Sequence, residues 1–288
     1  MEDPGRIDMQ RQAGLAVDCT PEEKYERLLT LIAERKSAAV AFSGGVDSSF
    51  LCHAAVTALG NRAVAFTVVS PMLPRHELNC AADIARQTGI EHVFIENHKI
   101  EEEVAVNSRE RCYFCKKREF GRIREEALKR GINTVLDGSN RDDLSDYRPG
   151  LKALEELGIC SPLRDAGLTK AEIRELSRRF ALPTWDKPAF ACLASRIPYG
   201  ERIDRDRLAR VEKAEDYLRD LGFRQFRVRS HGDIARIEAA PVERRRFFDE
   251  TLLDQISQAF KSYGFLFVAM ELEGYAMGNL NRVFKDKQ

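Results

Sequence analysis

Ala38-Ala39-Val40-Ala41-Phe42 runs straight into Ser43-Gly44-Gly45-Val46-Asp47-Ser48, and the fold is decided at that junction. The apolar run predicts a strand, the amphipathic stretch Ser49 to Leu59 predicts a helix, and the two glycines form the turn between them. Such a junction aims unpaired backbone N–H groups and the positive end of a helix at an anion. Gly44 and Gly45 lack a Cβ, so the backbone can bend sharply and approach the anion closely. Ser43 and Ser48 add hydroxyl donors at its rim. The loop is not a Walker A, because no GxxxxGK followed by Ser or Thr is present and no lysine stands ready for a γ-phosphate. Taken alone, the stretch is also compatible with an ordinary glycine-rich turn.

Outward from the loop, strands and helices alternate. Ala63 to Val69 is a continuous apolar run, as expected of a strand covered on both faces. Glu77 to Thr88 reads as a helix ending near Gly89, His92 to Ile95 as a strand, and Lys116 to Lys129 as a helix stopped at Gly131. Thr134 to Asp137 reads as a fourth strand, with Asp137-Gly138-Ser139-Asn140 at its carboxyl end. This alternation predicts an α/β fold with a doubly wound parallel sheet, whose ligands sit at the carboxyl ends of strands. Past Gly200 the pattern changes: a helix over Asp204 to Leu221, a hairpin around His231-Gly232, a helix over Val242 to Tyr263 and a strand over Phe265 to Leu272. The expected organisation is a tail over 1–21, a nucleotide-binding domain over 22–200 and a smaller α+β domain over 201–288, with no internal repeat.

Composition fits a soluble, cytoplasmic enzyme. The 288 residues are 43% hydrophobic and 32% charged, with 46 residues of each sign. A net charge of zero gives no sign of a nucleic-acid or membrane binder. Met1 to Cys19 is polar, without the basic-then-apolar pattern of a signal peptide. Seven cysteines in such a chain argue against a disulfide framework and for core packing, metal ligation or chemistry.

Cys112 and Cys115 form a C-x-x-C at the start of a predicted helix, beside Lys116 and Lys117. That spacing suits a redox pair, half a zinc site or part of an iron–sulfur site. No second C-x-x-C exists and the five histidines show no ligand spacing. Cys192 stands in a loop-like segment between Pro188 and Pro198, where reactive residues are commonly placed. Cys19, Cys52, Cys80 and Cys160 read as tail or core cysteines. For a divalent cation, Mg²⁺ above all, Asp47 and Asp137 are the nearest carboxylates by predicted position, although Asp47 also suits a plain helix N-terminus. Arg227 and Arg229 alternate with Phe226 and Val228, so both point to one face of a strand. Away from compensating acids they would hold phosphate or paired carboxylates; the plainer reading is a solvated hairpin face. Arg196, before Pro198-Tyr199-Gly200, is placed to orient a carboxylate.

Ser43-Gly44-Gly45-Val46-Asp47-Ser48 resembles the pyrophosphate-binding loop of the N-type ATP pyrophosphatases, which cleave ATP between the α and β phosphates. Further blocks follow in order: Leu136-Asp137-Gly138, Asp146-Tyr147-Arg148-Pro149-Gly150-Leu151, Ser161-Pro162-Leu163-Arg164, Cys192 to Gly200, and Arg227-Val228-Arg229 through Asp233 to Glu238. Together they resemble the LarE family of ATP-dependent sulfur transferases, from about residue 22 onward. The resemblance implies a step in making the nickel-pincer nucleotide cofactor. A pyridinium-dicarboxylate mononucleotide is adenylated on a carboxylate by ATP, and the acyl adenylate becomes a thiocarboxylate. Some members sacrifice the sulfur of one cysteine and are left with dehydroalanine; others carry three cysteines for a 4Fe–4S cluster that binds an extra sulfide. Cys112, Cys115 and Cys192 match the second pattern, and three thiolates leave one iron of a cubane without a protein ligand. The resemblance also implies a homo-oligomer, with a hexamer as the suggested form, and puts Glu215 at an acidic metal or substrate position. On a charged helix, Glu215 otherwise reads as solvated.

Other readings share parts of this pattern. A tRNA thiolase has the glycine loop and sometimes three cysteines, but RNA binding normally needs a basic surface or a dedicated module. An ammonia-dependent amidating ligase uses the loop and leaves the cysteines idle. A non-catalytic iron–sulfur carrier keeps the cysteines and has no use for the loop. The sulfide donor is not identified by any residue pattern.

Overall fold

The computed structural model describes residues 19–145, 149–188 and 191–276. The Asp146-Tyr147-Arg148 part of one family-like block, Ala189-Phe190 and most of the expected tail lie outside them.

Strands β1 (Ala38–Ala41), β2 (Ala63–Val69), β3 (Glu91–Glu96) and β4 (Val135–Leu136) form a parallel sheet in the order β3-β2-β1-β4. From β1 the chain steps outward to β2 and β3, then returns to add β4 on the other side of β1. The strand order therefore reverses between β1 and β4, which opens a crevice at their carboxyl ends. The glycine loop follows β1 and Asp137 follows β4, so both edges of that crevice carry expected site residues.

Helices cover both faces, which explains the unbroken apolar run of β2. On one side lie α1 (Pro21–Ala33), α2 (Val46–Leu59), α3 (Arg75–Thr88) and α8 (Lys170–Arg179), around a core including Leu28, Ile32, Phe50, Leu51 and Leu176. On the other lie α5 (Arg111–Lys129) and α6 (Pro149–Glu156), which contribute Phe120, Ile123, Ala127 and Leu154. Two single-turn helices, α4 (Glu102–Ala105) and α7 (Pro162–Asp165), sit in the connections. The α1 helix is an element that the periodicity reading left unassigned. Its start is a capping box, with Thr20 accepting from the Glu23 N–H and Glu23 accepting from the Thr20 N–H at 2.8 Å.

The second half builds a smaller sheet. Strands β5 (Phe226–His231) and β6 (Ile234–Ala239) are the expected antiparallel hairpin, turned at Gly232 with φ 57°. Strand β7 (Phe267–Met270) runs parallel to β6. Helices α9 (Arg205–Asp220) and α10 (Glu250–Ser262) pack on it through Leu208, Val211, Leu218, Ile256 and Phe260. The single helix expected over Val242 to Tyr263 is instead a 3-10 turn, Arg244–Phe248, followed by α10. The break falls at Asp249, whose carboxylate accepts from the Thr251 N–H at 2.9 Å and caps a new helix. This second core also takes in Met72, Val104, Leu193, Ala194 and Ile197 from the first half. The segment bearing Cys192 therefore packs into the core of the smaller sheet, while the Leu193 N–H donates to the Met72 carbonyl after β2 at 2.9 Å.

Candidate active site

The glycine loop has a shape only glycine provides at position 44. Gly44 has φ +69°, and a Cβ there would stand 3.2 Å from the Cα and Cβ of Ala81 on α3. Gly45 caps α2 without a side-chain bond, so the first amides of the helix stay open toward the crevice. Ser48 Oγ accepts from the Ser43 N–H at 3.3 Å, which folds the loop back on itself. Gly138 closes the other side, where a Cβ would meet the Ser48 nitrogen at 3.2 Å. The loops after β1 and β4 therefore form one continuous wall.

A cavity of about 650 Å³ opens on this wall. It is lined by Ser43, Gly45, Asp47 and Ser48, by Asp137 to Asn140, and also by Cys115 and Cys192. Its size is in the range of small-molecule sites. Asp47 and Asp137 both face it, as expected of carboxylates for a divalent cation. Asp137 is 3% exposed, accepting from Ser161 Oγ at 2.5 Å and from Ser139 Oγ at 2.6 Å. Asp47 accepts from Asn140 Nδ2 at 3.4 Å and from the ammonium of Lys170. An Mg²⁺ ion takes one or two carboxylates together with phosphate oxygens, and this pair fits that donor set.

Two lysines at this wall were missed by the sequence reading. Lys170 opens α8 directly after its Thr169 cap and points at Asp47. Lys187 donates to the Gly44 carbonyl at 3.0 Å and to Glu77 Oε2 at 2.6 Å, tying the loop to α3. Burial alone would raise the Glu77 pKa, but His76 and Lys187 outweigh it and hold the carboxyl below its ordinary value. Neither lysine falls in a glycine-loop motif; the only signals were a lysine beside a helix cap and one before Pro188.

The three expected cysteines are all neighbours of one buried arginine, Arg111. Cys112 is exposed in the first turn of α5, and Cys115 lies one turn further in. Cys192 precedes the 3-10 turn Leu193–Arg196. Burial pushes the Cys115 thiol well above its ordinary pKa, helped by the charges of Glu119, Cys192 and Cys112. Arg111 is 3% exposed, with Nη2 4.0 Å from Cys112 Sγ. Burial would lower its pKa, yet the nearby Cys192 and Cys112 raise it overall. Cys112 and Cys192 both act on Cys115 and on Arg111, and thiolate chemistry suits iron. Among the described residues, no three Cys, His, Asp or Glu side chains are drawn into metal-ligand spacing.

The arginines are engaged more deeply than expected. Arg196 forms a two-pronged pair with Glu215, at 2.8 and 2.9 Å, and donates to the Cys192 carbonyl at 3.0 Å. Glu215 also accepts from the Val228 N–H at 3.0 Å and is 4% exposed. It is therefore neither a solvated carboxylate nor one gathered with Asp47 and Asp137; its charge neutralises Arg196. Arg229 corrects the expectation of arginines away from acids, because its Nη2 donates to Glu238 at 2.8 Å and its Nη1 to the Ser195 carbonyl at 2.6 Å. Arg227 lies over the Tyr275 ring at 5.0 Å. Burial, then the neighbouring Arg196 charge, lowers its pKa from the ordinary value. The hairpin face that carries them is not a solvated one.

The chain is similar to known proteins over most of its length. The asparagine synthase family model matches residues 31–139, the stretch from α1 to the loop after β4. A Synechocystis protein described as uncharacterized is 45% identical over 263 residues, covering 91% of this chain and 98% of its own. The pyridinium-3,5-bisthiocarboxylic acid mononucleotide synthase of Lactiplantibacillus plantarum is 34% identical over 261 residues, covering 90% of this chain and 94% of its own. An uncharacterized Methanocaldococcus jannaschii protein is 31% identical, covering 84% and 92%.

Proposed function

Because this chain belongs to the LarE family of ATP-using sulfurtransferases, we propose that it converts a carboxylate of a pyridinium-dicarboxylate mononucleotide to a thiocarboxylate. The observation that carries the reading is the shared cavity: the nucleotide loop, two carboxylates and two of the three cysteines line the same space. In the first stage a substrate carboxylate oxygen attacks the α-phosphorus of ATP. The bond to the β-phosphate breaks and pyrophosphate leaves. The open amides of α2, Ser43 and Ser48 receive the phosphates, and Asp47 with Asp137 would hold Mg²⁺ against them. Lys170 stands beside Asp47, where it offsets phosphate charge.

In the second stage sulfur attacks the acyl carbon and AMP leaves. Cys112, Cys115 and Cys192 would hold an iron–sulfur cluster, which supplies a sulfur nucleophile that can be renewed. The chain itself brings Cys115 and Cys192 to the cavity, with Cys115 half-buried there. A second reading, sacrifice of the Cys192 sulfur alone, is favoured by Cys112 being exposed and outside the cavity lining. Gathering both reactants in one cavity lowers the barrier by orientation, and sulfur completes it as nucleophile.

The test is to supply ATP and the dicarboxylate mononucleotide to protein reconstituted anaerobically with iron and sulfide. AMP, pyrophosphate and a thiocarboxylate are expected, and ADP as product would overturn the reading. Turnover beyond one per chain, lost together with about four irons in Cys112→Ala, Cys115→Ala and Cys192→Ala, supports the cluster. A single turnover that needs only Cys192 and leaves dehydroalanine there supports the sacrificial route.

A further inference from the structure

Cys192 and the C-x-x-C are distant in sequence, yet Cys115 and Cys192 pack against the same core, and one buried residue ties their two segments together. Asn107 is fully buried and adopts a left-handed backbone with φ 57°, uncommon for a residue with a side chain. Its Nδ2 donates to the carbonyls of Ile197 at 3.3 Å, Pro198 at 2.7 Å and Glu201 at 2.9 Å. Its own carbonyl accepts from the Gly200 N–H at 3.0 Å. Its Oδ1 accepts from Arg111 Nη1 at 2.5 Å. Arg111 Nη1 in turn donates to the Ala194 carbonyl at 3.2 Å, and the guanidinium lies over the Tyr199 ring at 5.1 Å. Apart from the Arg111–Asn107 bond, these contacts run from Asn107 and the first residue of α5 to the loop just after Cys192.

We propose that Asn107 and Arg111 form a clasp that sets Cys192 against Cys112 and Cys115, and that both are positioning residues for sulfur transfer. Neither residue lines the cavity, so neither touches substrate there. The clasp acts on the distance between the thiols and leaves the nucleotide wall alone. Asn suits the hub because one side chain offers a donor to the loop and an acceptor to the arginine at once. Ala and Leu offer neither, and Asp loses the donor while keeping the acceptor. The inference rests on the reading that these thiols serve one reaction.

The first readout needs neither substrate nor metal. Dibromobimane, a short reagent that bridges two thiols, is applied to the full chain and the bridged peptides are identified by mass spectrometry. Two products compete: a bridge from Cys192 to the Cys112–Cys115 helix, and a bridge within that helix. Wild type is expected to give the first, and its share to fall about ten-fold or more in Asn107→Asp and in Arg111→Gln, the scale on which loss of supporting bonds weakens a ligand set. ATP affinity, measured by calorimetry, is expected to stay within about two-fold, since the loop does not depend on the clasp. An unchanged ratio in both variants overturns the proposal, as does a wild type with no Cys192 bridge. Loss of ATP binding in step with the bridge in both variants also overturns it, because the residues would then merely hold up the fold. Iron uptake on anaerobic reconstitution is the second readout, expected to fall with the bridge. Absence of sulfur transfer in wild type, with the bridge ratios as expected, would strike the functional reading and leave the clasp intact.

Discussion

At the residue scale, the nucleotide wall makes two sharp demands. Gly44→Ala places a Cβ against Ala81 in a left-handed conformation that costs an ordinary residue about 1–2 kcal/mol. Reduced ATP affinity is expected with the overall fold retained, as checked by calorimetry beside circular dichroism. Lys170 poses the charge question, since its ammonium is held by Asp47 and faces the cavity. Lys170→Gln is expected to weaken ATP and pyrophosphate binding by about 1.5–3 kcal/mol, the range for hydrogen bonds to charged groups, and to leave AMP binding nearly unchanged. Equal loss for AMP would show that Lys170 acts on the nucleoside end instead. The glycine loop was fully legible in the sequence because its constraint is local: backbone shape and open amides are written in adjacent residues. Lys170 was not legible, since it reaches Asp47 only after α8 has packed against α2.

At the element scale, the difference lies between periodicity and pairing. Strands β1 to β3 and helices α3 and α5 were readable from apolar runs and their glycine stops. The hairpin of β5 and β6 was readable from alternation around Gly232, but the partners of its arginines were not. Glu215 lies one helix away from Arg196, and no short-range pattern couples them. Glu215→Gln leaves the Arg196 charge buried without its counter-charge, and about 3–5 kcal/mol of stability should be lost, as measured by urea unfolding. The α3 tie to the glycine loop gives a pH signature. Glu77 has a folded pKa held below its ordinary 4.5. Its contribution is therefore present above that value and is lost as the pH falls through the lower, folded one. The stability gap between wild type and Glu77→Gln is expected to be open at pH 7 and to close under strongly acid conditions. A gap that widened in acid would contradict the assignment of His76 and Lys187 as its partners.

At the scale of the whole molecule, the glycine-loop wall belongs to the larger sheet, and the loop after Cys192 packs on the core of the smaller one through Leu193, Ala194 and Ile197. A core defect in the smaller sheet should therefore reach the thiol before the nucleotide. Phe260→Ala, at a fully buried position, is expected to cost about 3–5 kcal/mol. Urea unfolding should show this loss, with Cys192 alkylation accelerated at urea concentrations where ATP affinity is still intact. Equal onset of both changes would mean that the halves unfold as one. The sequence pattern changes near Gly200, but the reach of the second core back to Met72 and Val104 was not legible, because contacts between distant apolar residues leave no spacing to read.

The common lining of nucleotide loop and thiols also bears on the fate of a reactive intermediate. An acyl adenylate is destroyed by water, so every molecule that escapes is an ATP wasted. With Cys115 and Cys192 lining the cavity proposed for activation, the activated acyl group would have no journey to make. Efficiency then becomes a partition between two competing exits, sulfur or water. The ratio of AMP released to thiocarboxylate formed measures that partition directly. A ratio near one would describe a closed hand-over, and a rising ratio in a variant would report a leak even where the rate of sulfur transfer looked normal.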